Sequence, residues 1–304
     1  MYDRSVLVGG YFALAAYSIW GFAPLYFKTV AHVAPLEIIA HRVVWSVLLL
    51  LAVLSVTRQL NQLKVPIKTL GMLFLSATFL ACNWLIFVYA ILENKVVDTS
   101  LGYFINPLVS VLLGICFLGE RLRPLQWLAI ILATFGILIQ LVFLGRIPLI
   151  SLALAFSFGF YGLIRKNLNL PSVSGLALET LLVLPFAMAF LGWQQQEQQL
   201  AFANLNLSTD LLLMLGGVIT SLPLLFFAAA VTPLSLTTVG VFQYLAPSLS
   251  LLLAVFYFDE PFTLTQLVSF GFVWLAIALF TTESIRFHQK QFAIQKAKPT
   301  SNPQ

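Results

Sequence analysis

Along this chain apolar residues run on in long stretches that short polar breaks interrupt. Windows of about 20 predominantly apolar residues, enough for a helix to cross a hydrocarbon core of about 30 Å, lie near residues 6–27, 36–56, 69–92, 99–118, 124–144, 147–164, 172–192, 209–231, 236–258 and 264–283. Lipid offers no partner for an unpaired backbone group, and runs this continuous lack the alternation of barrel strands. Each window is therefore expected to be an α-helix. The predicted fold is all-α: a polytopic membrane protein of ten transmembrane helices.

Composition agrees. Of 304 residues 60% are hydrophobic and 9% charged, and the mean hydropathy is +0.97, whereas a soluble domain carries roughly a quarter charged residues. Cys82 and Cys116 sit in apolar runs without a C-x-x-C pattern, so they read as small packing residues, not as a disulfide or a zinc site. The run from Val6 to Phe27 is too long for a signal-peptide core and no small-x-small cleavage site follows it, so it is expected to stay as the first span.

Lys and Arg in the short loops set the orientation. With the N-terminus inside, the cytoplasmic segments hold twelve: Arg4; Arg58, Lys64 and Lys68; Arg121 and Arg123; Arg165 and Lys166; and Arg286, Lys290, Lys296 and Lys298. The outer loops hold three, Lys28, Lys95 and Arg146, and Arg42 is left inside a span. Both termini are thus expected in the cytoplasm. The pI of about 9.3 reflects loop charges drawn to an anionic leaflet, not a nucleic-acid surface, because no basic domain lies outside the membrane. The polar, basic tail Gln289–Gln304 carries two prolines and is expected to be disordered.

Residues 100–140 lie over 240–280 without a gap: Pro107 meets Pro247, Ser110 meets Ser250, Glu120 meets Glu260, Gln126 meets Gln266 and Ile137 meets Ile277. The proline, glutamate and glutamine are the informative matches, since apolar matches are cheap in such a chain. Five spans used twice make the second copy enter from the opposite face, the inverted-repeat construction of many secondary transporters. Matched loops change sign accordingly: Gly119–Pro124 carries net +1 and Asp259–Leu264 net −2. The expected units are a first five-helix repeat over 1–144, an inverted second over 145–284, and a cytoplasmic basic tail over 285–304.

The strings LEIIAHRVVWS (36–46), NWLIFVYA (83–90), LGYFINPLVSVLLG with GERL (101–122), LET (178–180), and LPLLFFAAA with VFQYLAP (222–247) give the chain its resemblance to the RarD family of the EamA-like drug/metabolite transporter superfamily. The resemblance covers nearly all ten spans. It implies ten helices in two inverted halves and export of small metabolites or drugs, and the family's name is tied to chloramphenicol sensitivity.

Ionisable groups at bilayer depth cost at least about 2.5–3.5 kcal/mol, so they face a cavity, a partner or a pathway. The second span carries Glu37, His41 and Arg42. If its helix begins near Pro35, Arg42 lies about 10 Å in, and Glu37 and His41 share a face. Glu37 would also suit the positive end of the helix dipole, and Arg42 could snorkel outward. The seventh span carries Glu179 and Thr180, with Glu179 about 12 Å from the other face. Arg42 and Glu179 would then flank the midplane of one central cavity, Arg42 attracting a carboxylate or other electronegative group and Glu179, with His41, carrying a proton. A buried structural ion pair is the alternative.

Spans four and nine place Pro107 and Pro247 mid-helix, bending each and freeing the carbonyls of Tyr103 and Gln243. Tyr103, Asn106, Gln243 and Tyr244 supply polar groups at that level. Asn83 and Thr220 in spans three and eight are further candidates for the pathway, or else interhelical hydrogen bonds. Gly159 with Gly162, and Gly216 with Gly217, read as close-packing sites. No G-x-x-x-x-G-K-[ST] and no H-E-x-x-H occurs, so neither ATP, a metal nor another cofactor is expected.

The expected function is alternating-access export of a small molecule, as a proton-coupled carrier or a facilitator, from the cytoplasmic membrane. The expected partners are that substrate, membrane lipid and protons. The competing class is an intramembrane enzyme acting on a lipid or isoprenoid carrier, with Glu37, His41 and Glu179 as acid/base groups. A sensor or assembly subunit is disfavoured by the short tail.

Overall fold

Proline, glycine and asparagine punctuate the helices. Pro35 and Pro124 open α2 (Pro35–Val56) and α5 (Pro124–Leu144), where a missing N–H costs nothing. Gly119 and Gly145, at φ 64° and 66°, close α4 (Val96–Leu118) and α5 in the left-handed conformation. Asn206 and Ser235 cap α8 (Leu207–Val231) and α9 (Leu236–Gln243) by accepting the N–H groups of Thr209 and Thr238. The computed structural model describes residues 4–93, 95–145, 147–259 and 263–297, and among these every regular element is helical. The remaining helices are α1 (Arg4–Thr29), α3 (Ile67–Leu92), α6 (Leu149–Leu168), α7 (Ser172–Gln196), α10 (Leu245–Phe256) and α11 (Leu264–Ala297).

Ten stretches are long and apolar enough to cross a membrane, one for each expected window. The ninth, Leu236–Phe256, is split into α9 and α10 at Tyr244, three residues before Pro247. Pro107 does not split its helix. It lies inside α4, which packs against both α6 and α9. The tail departs from expectation: α11 stays helical through Ala297, because Gln, Lys and Ala are good helix formers once a membrane-anchored turn precedes them. Residues 298–304, the end of that expected tail, lie outside the described residues. Cys82 and Cys116 are unpaired and exposed on the outside of the bundle, not packed inside it.

The packing has an exchange symmetry. α1 packs on α8 as α6 packs on α3; α1 packs on α10 as α6 packs on α4; α2 packs on α8 as α7 packs on α3. The pairs α2–α7, α4–α9 and α5–α11 map onto themselves. Replacing each span by its counterpart five spans away therefore leaves the principal contacts unchanged.

Helices in lipid gain little from hydrophobic burial against one another and associate by close contact at small residues. Gly217 lets α8 lie on α2, where a Cβ would stand 2.5 Å from that of Trp45. Gly240 lets α9 meet α4, where a Cβ would stand 2.9 Å from the Pro107 carbonyl oxygen. The outer surface is studded with Phe, Leu, Val and Trp side chains, as a surface solvated by acyl chains requires.

Candidate functional site

Arg42 and Ser46 of α2 rest on α8, and Glu179 of α7 rests on α3. Arg42 donates through Nε to Thr220 Oγ1 at 2.6 Å, and one turn later Ser46 donates to the Gly217 carbonyl at 3.2 Å, both joining α2 to α8. Across the exchange, Ser76 of α3 donates to Glu179 of α7 at 2.6 Å.

Around Arg42 the walls are aromatic. Its guanidinium carbon is 5.4 Å from the Phe27 ring centre and 5.0 Å from that of Trp84, within the range of a cation–π contact. The phenols of Tyr26 and Tyr103 lie within electrostatic range. Tyr103 is 49% exposed although it sits on the central helix α4, and its ring is 6.3 Å from that of Phe87. Arg42 is half-buried. Both side chains therefore keep part of their surface uncovered by the protein. Counted from the first residues of their helices, Arg42 and Tyr103 are each seven positions in, about 10 Å.

Glu179 is 1% exposed. Beyond Ser76 it faces the Arg165 Nη1 at 3.9 Å and the hydroxyl of Tyr161. It also lines a small, apolar-walled cavity of about 10 Å³ with Val43, Ala77, Leu80, Ala81, Trp84, Thr180 and Val183. Trp84 touches both settings, flanking Arg42 on one side and the Glu179 cavity on the other. Arg42 and Glu179 are not paired: among the described residues no carboxylate lies within 4 Å of Arg42.

The other expected site residues are distributed as follows. Glu37 is fully buried and accepts the backbone N–H groups of Ala201 and Phe202 at 2.9 and 3.0 Å, which ties α2 to the α7–α8 loop. His41 sits 3.8 Å from Glu37 with its ring against Phe202, centroids 4.7 Å apart. Asn83 donates to the Leu154 carbonyl at 2.9 Å and to Ser157 at 3.0 Å, an α3–α6 bridge. Thr180 donates back into its own helix, to Leu176 and Ala177. Gln243 accepts from Ser110 at 3.2 Å across the α4–α9 contact. Asn106 and Tyr244 are buried nearby, and their Oδ1 and hydroxyl have no hydrogen-bond partner among the described residues.

Several participants escaped the sequence reading. By sequence Arg165 joins Lys166 among the loop charges, but it lies in the last turn of α6 and is 3% exposed. Adjacent residues on a helix point about 100° apart, so Arg165 faces Glu179 while Lys166 donates to the carbonyls of Val231 and Leu234. The spacing Tyr161–Arg165, four apart and so on one face of α6, is the available signal. Glu120 accepts the N–H groups of Leu236 and Thr237 at 2.6 and 2.9 Å. Its repeat partner Glu260 lies outside the described residues. Glu120 and Lys166 therefore hold the two ends of the α8–α9 turn.

Comparison with known proteins fits this architecture. The model of the EamA-like transporter family matches the chain twice, over residues 7–142 and 146–282. The chain is similar to Protein RarD of Salmonella typhimurium, with 46% identity over 282 residues, covering 92% of this chain and 96% of that protein. It is also similar to an uncharacterized transporter of Vibrio cholerae, with 45% identity over 277 residues, covering 90% and 92%. One solved crystal structure shares the fold at a TM-score of 0.70 and 19% identity, over 92% of this chain and 98% of that one.

Proposed function

We propose, from the premise that this chain belongs to the EamA-like transporter family, that it is a secondary carrier exporting a small metabolite or drug-like molecule by alternating access. It is an integral, multi-pass membrane protein with ten spans. In our reading the two halves, 1–144 and 145–284, are inverted copies that rock about the space between them, the usual motion of such repeats. Five crossings per copy and the exchange symmetry of the packing support inversion. The excess of Lys and Arg on one set of loops supports cytoplasmic termini in the cytoplasmic membrane.

The observation that carries the reading is Arg42. At about 10 Å depth it has a neutral hydroxyl and aromatic rings for neighbours, and no carboxylate among the described residues. A cation held this way is poised to receive an electronegative substrate group. Glu179, on the matching helix of the other half, is the proton carrier in this scheme.

Transport into vesicles tests this directly. Arg42→Gln should abolish uptake, and Glu179→Gln should abolish its dependence on a proton gradient; unimpaired transport by both variants would refute the assignment. The enzyme alternative is separated by cysteines placed at positions 42, 103 and 243. A carrier exposes them alternately to the two sides, an interfacial enzyme to one. Chloramphenicol is the first drug-like compound to assay, given the family resemblance.

A further inference from the structure

We infer that the Arg42 site selects a net anion with a flat aromatic body over the zwitterion and the neutral amide of the same skeleton. This deepens the carrier reading and rests on it for context.

Two other arginines face acids. Arg165 stands 3.9 Å from Glu179, and Arg123 forms a two-pronged pair with Glu283. Arg42 instead spends Nε on Thr220. Among the described residues its two terminal nitrogens donate to nothing, and neither is sealed away from solvent. A planar guanidinium with both terminal nitrogens open fits the two oxygens of a carboxylate. Its counter-charge is left for the ligand to bring.

The walls specify the rest of that ligand. Phe27 and Trp84 flank the guanidinium, and the Tyr103 phenol lies within electrostatic range of it. Flat rings stack on such walls in offset or edge-on geometry.

An ammonium would find no anion there. Glu37 and Asp98 are 0% exposed and Glu179 is 1% exposed. Glu37 already holds the Ala201 and Phe202 N–H groups, and Glu179 holds Ser76. The carbonyl of Tyr103 that Pro107 leaves without an N–H is neutral. A zwitterion would therefore have to desolvate its ammonium without a charged partner.

Three compounds with one skeleton test the inference on the purified full chain in nanodiscs: 3-phenylpropionate, phenylalanine and 3-phenylpropanamide, with binding followed by titration calorimetry. The anion should bind saturably and about tenfold or more tighter than either of the others, a gap of the size one charge-assisted contact provides. Arg42→Gln should erase that gap. Arg42→Lys, which keeps the charge and loses the fork, should retain part of it. Equal binding of phenylalanine or the amide, binding of the anion that survives Arg42→Gln, or no saturable binding of the anion would overturn the inference. Counterflow in proteoliposomes preloaded with 3-phenylpropionate separates the two ideas: binding without exchange would uphold anion selection and refute the carrier.

Discussion

Ser76 and Glu179 share a 2.6 Å hydrogen bond across the α3–α7 contact, and Arg165 stands 3.9 Å from the same carboxylate. All three are essentially sealed from solvent. Removing one charge of such a pair leaves the other buried alone, which costs about 3–5 kcal/mol, whereas replacing both with apolar groups of similar size is nearly neutral. Glu179→Met and Arg165→Met should each lower the thermal unfolding temperature in detergent sharply, and the double variant should recover most of the loss. Additive losses in the double variant would show that the two groups are not energetically coupled.

The α8–α9 turn is gripped from both ends, by Glu120 at its N–H groups and by Lys166 at its carbonyls. Both charges complement the helix dipoles they meet. Glu120 reaches it from the α4–α5 loop and Lys166 from the last turn of α6, so the grip closes that end of the bundle. Glu120→Ala should destabilise by about 1–2 kcal/mol, as for loss of a good N-cap. It should also speed labelling of a cysteine placed at Thr237, which is 2% exposed. Unchanged labelling would mean that the turn is held by its packing alone.

The spans were legible in the sequence because lipid imposes one length and one backbone solution on each crossing. The pathway was less legible. His41 and Arg42 are neighbours in the chain, yet one stacks on Phe202 and the other reaches Thr220; only the helix angle separates them. Arg165 was hidden by position, since a charge at the end of an apolar run looks like a loop charge until its direction is known. Pro107 and Pro247 were recognisable as a matched pair, but packing decides the outcome: α4 passes through Pro107 unbroken and the ninth span breaks before Pro247.

Glu37 was a candidate for the pathway, and the structure gives it a different set of partners. Its carboxylate holds the N–H groups of Ala201 and Phe202, and hydrogen bonds to a charged group are worth about 1.5–3 kcal/mol each. Glu37→Ala should therefore destabilise by about 3 kcal/mol, with Glu37→Gln intermediate because it keeps one acceptor. In folded Glu37→Gln protein the KM for transport should be unchanged. A raised KM with normal stability would return Glu37 to the pathway.

Gly217 and Gly71 provide a paired test of the helix contacts. A Cβ on Gly217 would come within 2.5 Å of the Trp45 Cβ and 2.6 Å of its carbonyl carbon, and backbone at that distance cannot rotate aside. The α2 and α8 axes would have to separate, which would stretch the Ser46 bond to the Gly217 carbonyl and the Arg42 bond to Thr220. Overpacking of this kind costs about 1–3 kcal/mol. A Cβ on Gly71 meets nothing within 4 Å, so there the lower backbone entropy of alanine should stabilise the helix by up to about 1 kcal/mol. Gly217→Ala should thus lower the unfolding temperature and weaken substrate binding together, because the same contact positions Arg42, while Gly71→Ala should raise the temperature and leave binding alone. If Gly217→Ala lost stability but bound substrate as well as the parent, Arg42 would not depend on the α2–α8 contact for its position.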